Sequence, residues 1–195
     1  MTVYKRRKRS KAPIIISIVI IAAVLLVIGG YFGYNKFIKY QYPIKYQDYV
    51  EKYSAENHLN KYFVYAVIKS ESGFRPDAES NVGARGLMQI MEDTFDWVKF
   101  KSDDDEAVYY DMYNAETNIK YGCKLLGYLN AEFGNVETVA AAYHAGRGNV
   151  NEWLSDKRYS LDGVHLDKIP ISETAHYVDK IKNAMEKYIS LYDKK

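Results

Sequence analysis

The sequence predicts a mainly α-helical protein in which one globular domain follows a short basic and apolar N-terminal segment. Apolar residues recur at helical spacing along most of the chain, and no run of alternating residues is long enough to predict a strand. The 195 residues leave room for one ordinary domain plus a short appendage. With 48% hydrophobic residues, 27% charged residues and only four prolines, the composition excludes a disordered or collagen-like chain.

The N-terminal segment predicts an uncleaved membrane anchor. Residues 12–34 are mostly apolar and approach the ~20 residues that a bilayer requires. Because residues 1–11 are rich in lysine and arginine, they are expected to form a cytoplasmic tail and to place the rest of the chain outside. Residues 35–44 are interpreted as a stalk before a domain at 45–195. A cleaved signal peptide shares the basic start, but no small-residue cleavage site follows the apolar run.

Charge and cysteine content exclude several classes of function. Residues 41–195 carry 19 Lys/Arg against 25 Asp/Glu, so the domain has a net charge of about −6 and is a poor candidate for nucleic-acid binding. The single cysteine, Cys123, excludes an intramolecular disulfide and any multi-cysteine metal site. The four histidines show no paired spacing of the kind that binds zinc. We therefore expect neither a metal nor a cofactor.

Periodicity and capping residues predict six helices in the domain, and Gly146-Arg147-Gly148 is interpreted as a helix stop and turn. The second helix has a start signal at Asn60 and a stop at Gly73. The predicted helices lie at about 46–57, 60–73, 93–100, 115–133 and 136–145, and from Ser172, the expected N-cap, to the C-terminus.

One acidic residue lies on the apolar face of the second helix. Val64, Val67, Ile68 and Glu71 fall at i, i+3, i+4 and i+7, which places them on one side. Burial and the negative end of the helix dipole both raise the pKa of such a carboxyl. A glutamic acid that is still protonated near neutrality can donate a proton to a leaving oxygen. The alternative is a glutamate at a frayed helix end that faces solvent.

Four ordered motifs resemble one known family over about residues 45–190. They are similar to the lytic transglycosylase domain of the soluble-transglycosylase type, which has a goose-lysozyme-like helical fold. The motifs are Glu71-Ser72-Gly73-Phe74 followed by Ser80, Gly86-Leu87-Met88-Gln89, Ala141-Ala142-Tyr143-His144-Ala145-Gly146, and Ile169-Pro170-Ile171-Ser172-Glu173-Thr174.

The resemblance implies a reaction and a set of site residues. Glu71 resembles the catalytic acid, which protonates the oxygen between N-acetylmuramic acid (MurNAc) and N-acetylglucosamine (GlcNAc). It then acts as the base on the muramoyl C6 hydroxyl, which closes a 1,6-anhydro ring. This route needs one protein carboxylate, whereas an ordinary glycosidase needs two. The positions that resemble substrate-binding residues are Ser80, Gln89, Met91, Tyr143, His144 and Glu173.

Two residues depart from the family pattern, and one further match is interpreted as structural. His144 stands where the family usually has asparagine, which predicts pH-sensitive binding. Ala175 stands where an arginine is common, so Glu173 lacks that neighbour. Asn118 resembles a family position with a structural role. Glu79 and Glu92 are interpreted as solvated loop charges rather than as a second catalytic acid.

The sequence thus predicts a murein lytic transglycosylase held by a single-pass anchor on the outer face of a bacterial cell membrane, with peptidoglycan as its substrate. Two alternatives stay open. One is a hydrolytic muramidase of goose-lysozyme type, and the other is a non-catalytic peptidoglycan-binding scaffold.

Overall fold

The computed structural model describes residues 12–103 and 106–193, with the side chains of residues 12–20 and 22 excepted. The predicted basic tail at 1–11 lies outside the described residues. The chain divides into two compact units, one ending at Pro43 and the other beginning at Ile44. The described α-helices are α1 (Ala12–Gln41), α2 (Gln47–Glu56), α3 (Lys61–Glu71), α4 (Glu92–Lys101), α5 (Ala115–Phe133), α6 (Val136–Ala145), α7 (Arg147–Ser155) and α8 (Ser172–Tyr192).

In the described part of the N-terminal unit, the main element is helix α1. This helix continues to Gln41, so the first seven residues of the stalk predicted at 35–44 are helical. Tyr31, Phe32 and Tyr34 are exposed on it. Across the residues that the structure describes, no helix is both long enough and apolar enough to cross a membrane. The anchor predicted for 12–34 is therefore not supported by the structure.

The second unit is a helical domain built around α3. Every residue of α3 from Tyr62 to Ile68 is buried, and helices α2 and α8 pack against it. Helix α8 packs on both α3 and α6, while α5 packs on α2 and α6. The buried stripe of α5 contains Ile119, Cys123, Leu126, Leu129 and Phe133, as its spacing predicted. Glu71 therefore ends the most deeply buried helix of the domain.

Asparagine side chains begin three of the helices. Asn60 accepts a hydrogen bond from the Tyr62 N–H at 2.8 Å, and Asn135 accepts one from Thr138 at 2.8 Å. Asn114 does the same for Thr117 at 3.1 Å. Such caps satisfy amide groups that have no partner inside the helix.

The mainly helical prediction is confirmed, and between residues 44 and 193 the described chain forms isolated β-bridges but no strand. Two local predictions are wrong. Gly146, with φ of 90°, ends α6 but leads directly into α7, which buries Val150 and Trp153. Ser172 is the first residue of α8, and the extended residue before it, Ile171, holds the cap position. A short 3₁₀ helix at Tyr109–Tyr113 was also not predicted.

Candidate active site

Glu71 is the last residue of α3, and the residue after it joins the helix end to an irregular loop. The Ser72 hydroxyl is buried and donates a hydrogen bond to the Leu87 carbonyl at 2.8 Å. Gly73 and Phe74 follow with φ of 60° and 67°, so the chain turns sharply away from the helix axis. The loop at 73–90 is thus fixed against the helix end that carries the acid.

Asn118 of α5 holds the far side of this loop. Its Oδ1 accepts from the Met88 N–H at 2.8 Å. Its Nδ2 donates to the Arg85 carbonyl at 3.0 Å and to the Met112 carbonyl at 2.8 Å. Asn118 is completely buried, and its hydrogen bonds hold the loop in place. This agrees with the structural role that the sequence suggested.

Gly86 makes this close approach possible. Its φ is 76°, and a Cβ atom here would lie 2.0 Å from the Met112 carbonyl oxygen and 2.2 Å from Asn118 Nδ2. Only glycine fits this conformation and this space without displacing the backbone. The loop shape therefore depends on a residue of α5 that lies about thirty positions further along the chain.

The Glu71 carboxyl is half-buried and has one short hydrogen bond. The hydroxyl of Tyr177, from α8, donates to Glu71 Oε1 at 2.6 Å. Burial raises the pKa of Glu71, whereas the Tyr177 hydrogen bond and the charge of Lys180 oppose the rise without cancelling it. The arrangement favours a protonated acid with a hydrogen-bond donor in place to stabilise its carboxylate.

Tyr143 lies close to this acid. Its hydroxyl donates to the Met88 carbonyl at 2.7 Å, which fixes the ring beside the loop. Burial is the main cause that raises the pKa of Tyr143, and the charge of Glu71 adds to it. Tyr143 is therefore a neutral, oriented ring next to the carboxyl.

His144 contacts Tyr177 rather than Glu71 itself. The two rings lie 4.6 Å apart between centroids at an interplanar angle of 32°. His144 Nδ1 is 3.1 Å from the Thr174 hydroxyl. His144 is exposed, but partial desolvation of its ring lowers the pKa of His144, and the charge of Glu173 opposes this. The ring is thus neutral near pH 7 and lies against the tyrosine that binds the acid.

Three further predicted positions lie in or after the loop. The Ser80 hydroxyl accepts from the Ala84 N–H at 2.9 Å, inside the loop. The Gln89 Nε2 donates to the carbonyls of Ala78 and Gly86 at 3.1 and 3.0 Å. Met91 caps α4 and is exposed by 39%. The structure thus gives Ser80 and Gln89 roles in holding the loop.

The remaining carboxylates lie in other environments. Glu173 is exposed in the first turn of α8. Glu79 is exposed, accepts from the Tyr113 hydroxyl of the 3₁₀ helix at 2.7 Å and faces Arg85 of the loop at 3.4 Å. Glu92 is exposed at the start of α4. In the described part of the chain, no group of three or more His, Cys, Asp or Glu residues could hold a metal ion.

Sequence reasoning missed the link between Tyr177 and Glu71. Tyr177 was predicted only as a buried residue of the last helix. A buried tyrosine hydroxyl usually has a hydrogen-bond partner, which is the one signal that pointed to a polar neighbour. The partner itself could not be named, because the two residues are 106 positions apart.

The described domain is thus helical, and a half-buried, hydrogen-bonded glutamic acid at the end of α3 lies beside a loop of fixed shape. The family model for the transglycosylase SLT domain matches residues 48–163, and the chain belongs to this family. The family that the four sequence motifs indicated is thereby confirmed.

Known relatives agree in sequence and in structure. The soluble lytic murein transglycosylase of Salmonella typhimurium is 36% identical over 144 residues, which cover 72% of this chain and 22% of the relative. The 70-kDa soluble lytic transglycosylase SLT70 of Escherichia coli matches with a TM-score of 0.70 and 28% identity, over 78% of this chain and 25% of that one. An inactive mutant of lytic transglycosylase Slt from Pseudomonas aeruginosa matches with a TM-score of 0.71 and 26% identity, over 80% of this chain and 26% of that one. This chain thus spans about a quarter or less of the length of these relatives.

Proposed function

We propose that this protein is a peptidoglycan lytic transglycosylase that cleaves the β-1,4 bond between MurNAc and GlcNAc. The observation that carries the proposal is the Glu71 carboxyl, whose pKa is raised by burial and which the Tyr177 hydroxyl binds at 2.6 Å. Family membership supports it, since the relatives of known activity include a soluble lytic murein transglycosylase.

Glu71 performs two proton transfers in the proposed reaction. First its carboxyl donates a proton to the glycosidic oxygen, the bond from that oxygen to muramoyl C1 breaks, and GlcNAc leaves as an alcohol. The Glu71 carboxylate then takes the proton of the muramoyl C6 hydroxyl while O6 bonds to C1. No water is consumed, and Glu71 ends protonated as it began.

Tyr177 and Tyr143 support the acid in different ways. Tyr177 donates to the carboxylate that forms when Glu71 gives up its proton, so its hydrogen bond strengthens as the bond breaks. Tyr143 is fixed by Met88 and is proposed to contact the sugar. Ser80, Gln89, Met91, His144 and Glu173 are proposed to bind the glycan, and for Ser80 and Gln89 this accompanies their hydrogen bonds within the loop.

Neither alternative would release the products of the lytic reaction. A muramidase would add water to muramoyl C1, and its products would be 18 Da heavier than the anhydro ones. A scaffold would bind glycan without cleaving it. Glu71 is half-buried whereas Glu79, Glu92 and Glu173 are exposed, and this favours the lytic reaction, because hydrolysis with either stereochemistry ordinarily uses a second carboxylate beside the bond.

Mass spectrometry of a peptidoglycan digest separates these functions. We expect the wild-type chain to release 1,6-anhydro-MurNAc products and Glu71→Gln to release none while still binding the glycan. Glu137→Gln is the matched control, because Glu137 is exposed on α6 and pairs with Lys182 at 3.0 Å. Reducing-end products would replace the proposal with a muramidase. Glycan binding without products from the wild type would replace it with a scaffold.

We propose in addition that residues 12–34 anchor the protein in the bacterial cell membrane, with the domain at 45–195 on the outer side. The support is the apolar sequence behind a basic cluster. Extraction of cell membranes with alkaline carbonate tests it. The full chain should stay in the pellet and residues 41–195 should be released. Release of both proteins from the pellet would show that residues 12–34 do not anchor the chain.

A further inference from the structure

A lysine of α8 closes the end of α3, the helix that carries Glu71. The last carbonyls of a helix have no partner inside the helix and need one from elsewhere. The two carbonyls before that of Ser70 accept from the backbone N–H groups that follow the helix, each at 3.2 Å. The Ser70 carbonyl accepts instead from Lys180 Nζ at 3.0 Å. The Lys180 ammonium is therefore bound to the residue directly before the candidate catalytic acid.

Two side chains of α8 contact this helix end together. Tyr177 and Lys180 are three positions apart, so they are neighbours on one face of α8. The Tyr177 hydroxyl donates to Glu71 Oε1 at 2.6 Å, while Lys180 Nζ binds the carbonyl of the preceding residue. Because α8 packs against α3, one helix contact positions both groups. Tyr177 provides a neutral donor, and Lys180 provides a full positive charge.

The hydrogen bond of Lys180 fixes the position of its charge. Lys180 is exposed, and an exposed lysine that moves freely in water contributes little to the field at any one site. Here the carbonyl holds the ammonium at the C-terminal end of α3, where a cation also opposes the negative end of the helix dipole. Burial is the largest influence on the pKa of Glu71 and raises it, whereas the charge of Lys180 acts in the opposite direction.

The other titratable groups near Glu71 differ from this lysine. Tyr143 and Tyr177 are neutral near pH 7, because burial raises the pKa of each. Lys69 precedes Glu71 by two positions in α3, and residues at this spacing do not face each other. Arg75 Nε donates to the carbonyl of the residue after Glu71 at 3.0 Å. Of the groups named, the α8 lysine is the cation whose charge acts on the carboxyl.

We propose that Lys180 is a positioning residue of the candidate active site, whose ammonium α8 holds at the end of α3 so that its charge stabilises the Glu71 carboxylate formed during cleavage. The assignment rests on the proposed function, since it concerns the proton that Glu71 gives to the glycosidic oxygen. The attraction is absent while Glu71 is protonated and grows as the proton leaves, so it lowers the barrier and not only the energy of the bound substrate.

The test replaces Lys180 with methionine, which keeps an unbranched side chain and removes the charge. Initial rates of anhydro-product release are measured against pH at low ionic strength. We expect kcat to fall by roughly two- to fivefold, the size of effect that exposed charge pairs have, with KM unchanged. The alkaline limb of the profile should move to higher pH, because the charge that lowers the pKa of Glu71 is gone. Lys180→Arg keeps the charge and should restore both values.

Salt separates an effect of charge from an effect of shape. The Debye length falls from about 10 Å at 0.1 M salt to about 3 Å at 1 M. The difference in kcat between the wild type and Lys180→Met should therefore shrink at 1 M salt. Lys182→Met is the matched control, because Lys182 is also exposed on α8 but pairs with Glu137 of α6 at 3.0 Å. This control should leave kcat and the pH profile unchanged.

Three results would overturn the proposal. If Lys180→Met lowers the melting temperature but leaves kcat and the pH profile unchanged, the lysine only caps α3. A higher KM with unchanged kcat would make Lys180 a contact of the glycan. A loss of kcat that persists in full at 1 M salt would exclude an action through charge.

A titration without substrate separates this proposal from the proposed function. Carbon-13 NMR of the Glu71 side-chain carboxyl measures its pKa directly in the wild type and in Lys180→Met. A higher pKa in the variant supports the proposal, and an equal pKa overturns it. If the wild type cleaves no peptidoglycan, the proposed function fails, and this titration still decides whether Lys180 acts on Glu71.

Discussion

Replacing Tyr177 with phenylalanine removes the one hydrogen bond that the structure gives to the candidate catalytic acid. The Tyr177 hydroxyl donates to Glu71 Oε1 at 2.6 Å, and Tyr177 itself is buried in α8. Phenylalanine keeps the ring and its packing against His144. The variant therefore changes the electrostatics of Glu71 with little change in shape.

The size of the effect follows from the charge that forms on Glu71. In the Tyr177→Phe variant, the carboxylate that forms when the proton leaves lacks the hydrogen bond from Tyr177. Hydrogen bonds to charged groups contribute about 1.5–3 kcal/mol. Each 1.36 kcal/mol is tenfold in rate, so kcat should fall by roughly ten- to a hundredfold. Because this hydrogen bond lowers the pKa of Glu71, its loss should raise that pKa further.

Initial rates of anhydro-product release between pH 4 and pH 9 measure both effects. We expect a lower kcat, an unchanged KM, and an alkaline limb of the pH profile displaced to higher pH. Tyr110→Phe is the control, because Tyr110 is 74% exposed and lies away from Glu71 in the sequence and in its contacts. An unchanged kcat, or an alkaline limb displaced to lower pH, would refute the role given to Tyr177.

Three further predictions rest on single contacts. The pKa of His144 is lowered by desolvation, so the KM of the wild type should change on the acid side of neutrality, where the ring gains a proton. His144→Asn should remove this pH dependence. Identical profiles of KM against pH for the two proteins would contradict a role of His144 in binding. Gly86→Ala should destabilise the domain by about 2–4 kcal/mol, because its Cβ clashes and its φ is positive, and should lower the melting temperature by roughly 5–15 °C. Gly148→Ala, which has open space around its Cβ, should leave the melting temperature unchanged. Similar melting temperatures for the two variants would contradict the role given to Gly86. The pKa of Glu71 is raised in the folded state, so the folded chain holds its proton to higher pH than the unfolded chain and stability falls as pH rises through that window. Thermal melts should therefore show Glu71→Gln gaining stability relative to the wild type as the pH rises above the ordinary glutamic acid pKa of 4.5, and a constant difference would speak against a raised pKa.

Local signals in the sequence were enough to predict most of the helical domain. Helices α5 and α6 lie at the predicted residues, because an asparagine begins each and a glycine ends each. The apolar face of α3 placed Glu71 correctly at its last turn. These features depend on residues a few positions apart, which is the range over which periodicity and capping act.

The shape of the site depends on contacts that such signals do not reach. The loop at 73–90 is fixed by Asn118, and the Glu71 carboxyl by Tyr177, each through a residue of a distant helix. Helix α7 was missed because Gly146 ends α6 and also precedes the first residue of the next helix. In the sequence, a glycine between two helices cannot be distinguished from a glycine in a turn.

Glu71 is proposed to act as both the acid and the base of a ring closure that uses no water. Digestion of peptidoglycan in H₂¹⁸O, followed by mass spectrometry of the new muramoyl ends, tests it most directly. We expect anhydro ends that carry no ¹⁸O from the wild type and no new ends from Glu71→Gln. Reducing ends labelled with ¹⁸O, or new ends from Glu71→Gln, would contradict it.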